Sequence, residues 1–353
     1  MRVALKEIAD SWLGEGGRLP AAISVRIHLR PADGPDGVVF PPTFAPAEVS
    51  TAKKSDYVLD QLPSGLSCLM DSVGSQANRM EAIFKTNPYS ALVPHVTVRA
   101  GSKTVDLLDA GHRAADAIVR YSDLSTQVND AFTAWTSEGD AMGLAKLAPT
   151  SLVFGVWDSR ETQAKVPRLV NSTIRAFDVV PLSRAGQYLP PVNYAAEGLL
   201  DAKITPDQQS ELGLSHAPHS GRGGVLVRGE IRRDALLSLV AVRDLRAKEA
   251  GKTLPLRRYV LGLGLVALTA PQRAQLRQGC LLVQDASKPP SSMLVFADGR
   301  DEPISIDHEE ALRYATDMAA QFGVGPSVSA TFDPAKVTEG QAKRARKGKA
   351  KEA

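Results

Sequence analysis

The 353 residues are 43% hydrophobic and 23% charged, the balance of a chain that folds around a core. No apolar run approaches the ~20 residues of a membrane-spanning helix, and two cysteines are too few for a disulfide framework or a cysteine-built zinc site. The net charge of +3 is unevenly placed: "KVTEGQAKRARKGKAKEA" (336–353) has seven basic residues against two acidic, which leaves residues 1–335 at −2, so any polyanion site in the body must be local.

At the N-terminus, "MRVALKEIADSWLGEG" interrupts its apolar run with Lys6, Glu7 and Asp10 and does not read as a signal peptide. In "SVRIHLR" (24–30) Val25, Ile27 and Leu29 alternate with Ser24, Arg26, His28 and Arg30, which predicts a half-buried strand with a basic outer face. The Pro/Gly-rich residues 31–60 are expected to be an insertion. A helix is predicted over about 65–85: Leu66, Leu69, Met70, Val73, Ala77, Met80 and Phe84 fall on one side, and Asp71, Ser72, Ser75, Gln76, Asn78 and Arg79 on the other. Ser, Asn and Asp are poor interior helix residues, because their side chains compete for backbone hydrogen bonds. A face built from them is either solvated or turned toward a polar partner, and a sugar-phosphate chain would accept such neutral donors plus one guanidinium.

Helices are expected over 107–122 and 130–149, and "SLVFGVW" (151–157) reads as a buried strand entering a polar loop, "DSRETQAKVPRLVNSTIRAFDVVPLSR". In that loop Arg160, Lys165, Arg168, Arg175 and Arg184 outnumber Asp158, Glu161 and Asp178, with Asn171 among the neutral donors. Guanidinium forks spaced along a segment suit a line of phosphates better than one compact anion; the plainer reading is a loop with scattered ion pairs. Beyond it come a flexible loop at 214–224, a strand at 225–233, a helix at 234–249, an apolar element at 256–271, a strand "CLLVQD", a hairpin turning on Asp298-Gly299, and a helix capped by Asp307 with Gly323 past its end. Strands and helices mix without a regular βαβ beat, so the fold class expected is α+β, an antiparallel sheet with helices on one face. Cys68 and Cys280 sit in apolar surroundings, the usage of reduced thiols in the cytoplasm.

Several catalytic signals are weak. "GLGLVA" (262–267) matches a dinucleotide fingerprint but lies in an apolar run cut by Pro271, with no clear preceding strand. His216 and His219 have metal-ligand spacing without a further ligand nearby, and "GRGG" (221–224) lacks the Lys-Ser/Thr of a phosphate-binding loop. No nucleophile elbow of the G-x-S-x-G type occurs. Asp158 and Asp178 could assist metal-dependent RNA cleavage, but nothing in the sequence pairs them.

The strings "DSVGSQANRMEAIF", "TSLVFGVWDSRETQAKVPRLVNSTIRAFDVVPLSRAGQY", "GGVLVRGEIRRDALLSL" and "LRQGCLLV" resemble the backbone subunit of type I-G (formerly I-U) CRISPR Cascade complexes, a family of the RAMP superfamily. The resemblance runs in order from about residue 20 to 325. It implies one domain over 1–335, a ferredoxin-like, RNA-recognition-motif palm carrying large finger and thumb insertions at about 31–60 and 158–222, followed by a basic disordered tail over 336–353. It further implies a non-catalytic subunit without cofactor or metal. Copies would stack head to tail along a CRISPR RNA and meet other Cascade subunits, with target DNA read through the guide. Carried over, Ser75, Gln76, Asn78 and Arg79 match the helix motif, and Arg160, Lys165, Arg168, Asn171 and Arg175 the strand-loop motif; these, with Arg184, are the expected RNA contacts. The competing reading is a metal-dependent endoribonuclease acting on guide precursor or target RNA.

Overall fold

The alternating apolar residues of "SVRIHLR" lie within a strand, β1 (Pro20–Pro31), around which the sheet of the computed structural model is assembled. The structure describes residues 5–14, 16, 18–45, 56–201, 203–338 and 340; residues 46–55 of the expected 31–60 insertion and nearly all of the expected basic tail lie outside the described residues.

The other sheet strands are β2 (Gly65–Asp71), β3 (Val170–Phe177), the pair β4 (Val179–Tyr188) and β5 (Ala217–Val227), β6 (Ile231–Ser238), β7 (Cys280–Gln284), β8 (Ser291–Phe296) and β9 (Asp301–Pro303). The central order is β8–β1–β6–β3–β2, antiparallel throughout, and Leu59–Leu62 extends it beyond β2. β7 pairs with the last residues of β1, on the edge that β8 occupies further back, and β9 pairs with β8. The sheet is curled. Beyond its end β3 and β6 continue into the antiparallel β4–β5 arm, paired from Val179–Val227 to Tyr188–Ala217.

One face of this sheet is covered by helices: α1 (Val73–Glu81) against β3, then α2 (Ser125–Glu138), α3 (Pro149–Phe154), and α4 (Thr253–Thr269) against β6 and β3, with α5 (His308–Phe322) packed on α4. The "GLGLVA" run is the buried middle of α4. A Cβ on Gly262 would come within 2.9 Å of Ala315 Cα on α5, and one on Gly264 within 3.0 Å of a Leu237 methyl on β6. These glycines serve close packing of helix on helix and sheet. The main core fills the space between sheet and helices, and a smaller one holds Cys68, Met70, Ile174, Ala176, Ile231, Cys280 and Leu282 under the curl. Both thiols are buried as expected, and burial pushes that of Cys68 up to about 12.

Several expected elements change type. Residues 65–71 are strand, and the helix begins only at Val73, because the Ser72 hydroxyl caps it by accepting from the Ser75 amide at 3.2 Å. Residues 149–154 are helix with Pro149 in the first turn, broken by Gly155 before the two-residue strand Val156–Trp157. Of the long polar loop, "VNSTIRAF" is a central strand whose alternate residues are buried, and 179–188 and 217–227 are the arm. The segment 234–249 stays in β6 to Ser238, which then caps a helix of only Leu239–Asp244, while 107–122 forms short turns ending in Ala117–Arg120. The expected 130–149 helix is split at Gly139 into α2 and Met142–Leu147.

Candidate nucleic-acid interface

The neutral polar face of α1 is divided between the interior and the surface. Gln76 is only 2% exposed. Its Nε2 donates to Asp71 at 2.6 Å, while its Oε1 accepts from Ser172 at 2.9 Å and from Arg233 at 3.2 Å. Arg79 is half-buried; its Nε donates to the same Asp71 carboxylate and one Nη to the Leu276 carbonyl. Both therefore knit helix to sheet. Ser75 and Asn78, one turn apart, reach the surface side.

Asn78 leads to a buried hub, Arg113. Its guanidinium donates to Glu81 at 2.8 Å, to the Gly155 carbonyl at 3.2 Å and to Asn78 Oδ1 at 3.3 Å, and it lies over the Phe154 ring. Arg113 holds φ +50°, a left-handed conformation rare for such a residue and maintained here by these anchors. Next to it Arg168 donates from Nε to the Phe154 carbonyl at 3.0 Å and leaves the rest of its guanidinium exposed. Burial and the neighbouring Arg113 lower the Arg168 pKa, as expected where positive charges crowd. Gly155 makes the approach possible. At φ +77° it adopts a backbone conformation that side chains resist, and a Cβ there would lie 2.6 Å from Arg168 Cγ.

The adjoining hairpin pairs Val156–Trp157 with Lys165–Val166. Its loop is wound around Asp158, which accepts from the amides of Arg160, Glu161 and Thr162, from the Thr162 hydroxyl, and from Arg120 at 2.6 Å. Asp158 is 1% exposed, so this carboxylate organises the loop from inside. Outside stand Arg160, Lys165 and Trp157, the last 56% exposed with the Lys165 ammonium 5.2 Å from its ring centre. Among the described residues, Arg160, Lys165 and Arg168 have no acidic partner.

The outer face of the sheet is different. The basic side of β1 meets acids from β6 and the turn before it: Arg26 pairs with Asp234 at 2.7 Å, Arg232 with Asp234 and Glu230, and His28 stands 3.1 Å from Glu230. Arg175 pairs with Asp60, and Asn171 lies half-buried opposite Leu236. This surface is nearly charge-balanced. Arg184 is exposed on the β4–β5 arm, apart from both groups, and Asp178 pairs with Arg228 at the arm's base.

Of the expected contacts, then, Asn78 and Arg168 stand about the Arg113–Gly155 hub, Arg160 and Lys165 on the hairpin that follows Gly155, Ser75 half-buried on α1, Asn171 and Arg175 on the sheet's outer face and Arg184 on the arm, while Gln76 is buried and Arg79 half-buried in the helix–sheet network. Trp157 and Arg113 were not among them. An exposed tryptophan directly before an Asp-wound loop with Lys165 at its far side is the sequence signal for the first; Arg113 carries none, since its role depends on contacts made 32 to 42 residues away. Among the described residues no group of three or more His, Cys, Asp or Glu is placed to hold a metal ion.

Residues 23–181 match the family model described as CRISPR-associated protein GSU0053, a stretch that contains every expected contact except Arg184. No curated protein matches the chain.

Proposed function

We propose that this CRISPR-associated protein is a non-catalytic backbone subunit of a type I Cascade surveillance complex, binding guide RNA along its phosphates and stacking on further copies of itself. One observation carries the reading: three cations without acidic partners among the described residues, Arg160, Lys165 and Arg168, are mounted on a frame built from Asp158, Gly155 and Arg113, with exposed Trp157 beside Lys165 and Asn78 on the Arg113 hub. Preorganised cations attract a polyanion, and a lone aromatic face offers one base a stacking surface. In a near-neutral body such a site handles a few phosphates, and affinity grows with the number of copies on one RNA.

The strand order supports a ferredoxin-like palm. Numbered one to four along the chain, β1, β3, β6 and β8 lie side by side as β8–β1–β6–β3, that is in the order 4-1-3-2, with helices between β1 and β3 and between β6 and β8. The β4–β5 arm and its 189–216 tip fit the finger or thumb of such a protein, and base pairing by the guide, rather than this chain, would select the DNA target. The subunit would work beside other Cascade proteins.

The test is co-expression with a CRISPR array and partner subunits. RNA of defined length should co-purify, and Lys165→Ala with Arg168→Ala should lower affinity for every RNA sequence and flatten the plot of log affinity against log salt by about 0.7 per lost phosphate contact. A nucleic-acid-free product at low salt refutes the proposal, and magnesium-dependent RNA cleavage abolished by Asp178→Ala would favour the endoribonuclease.

A further inference from the structure

A cavity of about 480 Å³ lies between the sheet and the C-terminal end of α4, and Arg160, Lys165 and Arg168 are not among its lining residues. Its wall is aliphatic, formed by Val25, Ile27, Leu29, Leu268, Leu276 and Leu282. Into this wall the sheet places a guanidinium. On the inner face Arg233 of β6 stands between Ile27 of β1 and Ile174 of β3, at a position where the alternation of "IRRDALL" puts Ile231, Ala235 and Leu237.

Arg233 is 2% exposed. Its Nε donates to Gln76 and Ser172 and one Nη meets the Met80 sulfur at 3.4 Å; all three partners are uncharged, and its Nη1 has no partner among the described residues. The nearest carboxylate in the network, Asp71, is already taken by Arg79, Arg277 and Gln76, and reaches Arg233 only through the Gln76 amide. Two guanidiniums thus share one carboxylate, and Arg233 meets none among the described residues. Arg79, which also lines the cavity, has an Nη1 without a partner among the described residues, and Arg273 stands at the rim. Burial lowers the Arg233 pKa to about 10, so it stays protonated at neutral pH. A buried charge is retained where an opposite charge meets it, and an isolated one is strongly disfavoured.

We propose that this cavity is a second ligand site, taking a small organic anion whose carboxylate or phosphate rests on Arg233 and Arg79 while its apolar body lies along the aliphatic wall. The volume falls within the roughly 300–1,000 Å³ of small-molecule sites, and an apolar lining with a few convergent polar groups is their usual chemistry. Gln272, Gln284 and Ser292 supply further hydrogen bonds at the cavity's margin.

The probe is 8-anilinonaphthalene-1-sulfonate, an anion on an apolar body, titrated by fluorescence into the full-length, RNA-free protein. Saturable one-to-one binding is expected, weakened at least tenfold by Arg233→Met. Since removing a buried charge can alter folding, Ala274→Trp is the second variant: Ala274 is an exposed lining residue, and the indole should block the cavity and abolish binding with an unchanged thermal melt. Displacement by octanoate and not by adenosine 5′-monophosphate assigns a carboxylate ligand, and the reverse a phosphorylated one. Absence of saturable binding, or affinity unchanged in both folded variants, overturns the proposal.

Discussion

Replacing Glu81 by Ala removes the only acid that meets Arg113 among the described residues. The pair is 2.8 Å apart, and the two side chains are 3% and 7% exposed. Without the carboxylate, Arg113 keeps two neutral acceptors among the described residues, at 3.2 and 3.3 Å, both long for charge-assisted bonds. Breaking a buried pair from one side costs about 3–5 kcal/mol, a large part of the roughly 5–15 kcal/mol that holds a domain folded. At ~2–4 °C per kcal/mol for a chain of this size, the melting temperature should fall by on the order of 10 °C. The reverse deletion behaves differently. Burial pushes the Glu81 carboxyl above its usual range against the pull of Arg113, and Arg113→Met removes that pull. A carboxyl with a raised folded pKa binds more protons folded than unfolded, so the penalty is full above the raised value and shrinks as pH falls through it toward the ordinary 4.5. Arg113→Met should therefore be less destabilising at pH 5 than at pH 8, whereas the loss in Glu81→Ala should run the other way and shrink as pH rises, because it deletes a carboxyl whose raised value already costs the parent stability there. Urea unfolding of both variants at the two pH values decides. A Glu81→Ala loss below about 1 kcal/mol, or an Arg113→Met loss equal at both pH values, would refute a desolvated, mutually dependent pair.

Trp157→Ala should weaken binding of single-stranded RNA by about 1–3 kcal/mol while leaving the melt unchanged, since the ring is exposed; filter binding and calorimetry check both. Gly155→Ala forces a side chain into a conformation open mainly to glycine and onto Arg168, so it should destabilise by about 1–3 kcal/mol and also reduce RNA affinity to near the level of Arg168→Ala. Burial pushes the Asp158 carboxyl up, but hydrogen bonds from Thr162 and the charge of Arg120 outweigh that and hold it below its usual range. The stability this contributes is full above the ordinary 3.8 and is lost as pH falls through the lowered value. Asp158→Asn should accordingly be less stable than the parent at pH 7 and converge on it in acid, as followed by circular dichroism.

How far a sequence exposes its fold depends here on whether the deciding contact is local. "SVRIHLR" and the Asp307-capped helix were legible because alternation and capping are set within a few residues, and the turn at Asp298-Gly299 for the same reason. The stretch 65–85 was misread because Leu66, Cys68 and Met70 suit either a strand or a helix flank, and the choice was made by pairing with β3 about a hundred residues later. β6 was misread similarly: "DALLSLVAV" has helical spacing, but Ala235 and Leu237 are held in the sheet by two neighbouring strands at once. The same distance dependence divides the polar face of α1. Composition marked it as needing hydrogen-bonding partners, and it has them, yet Gln76 finds Ser172 and Arg233, 96 and 157 residues away. A costly polar face on a helix thus has two physical outlets, surface and interior, and on this helix residues separated by two positions take different ones: Gln76 inward to the Arg233 network, Asn78 outward at the exposed edge of the Arg113 hub.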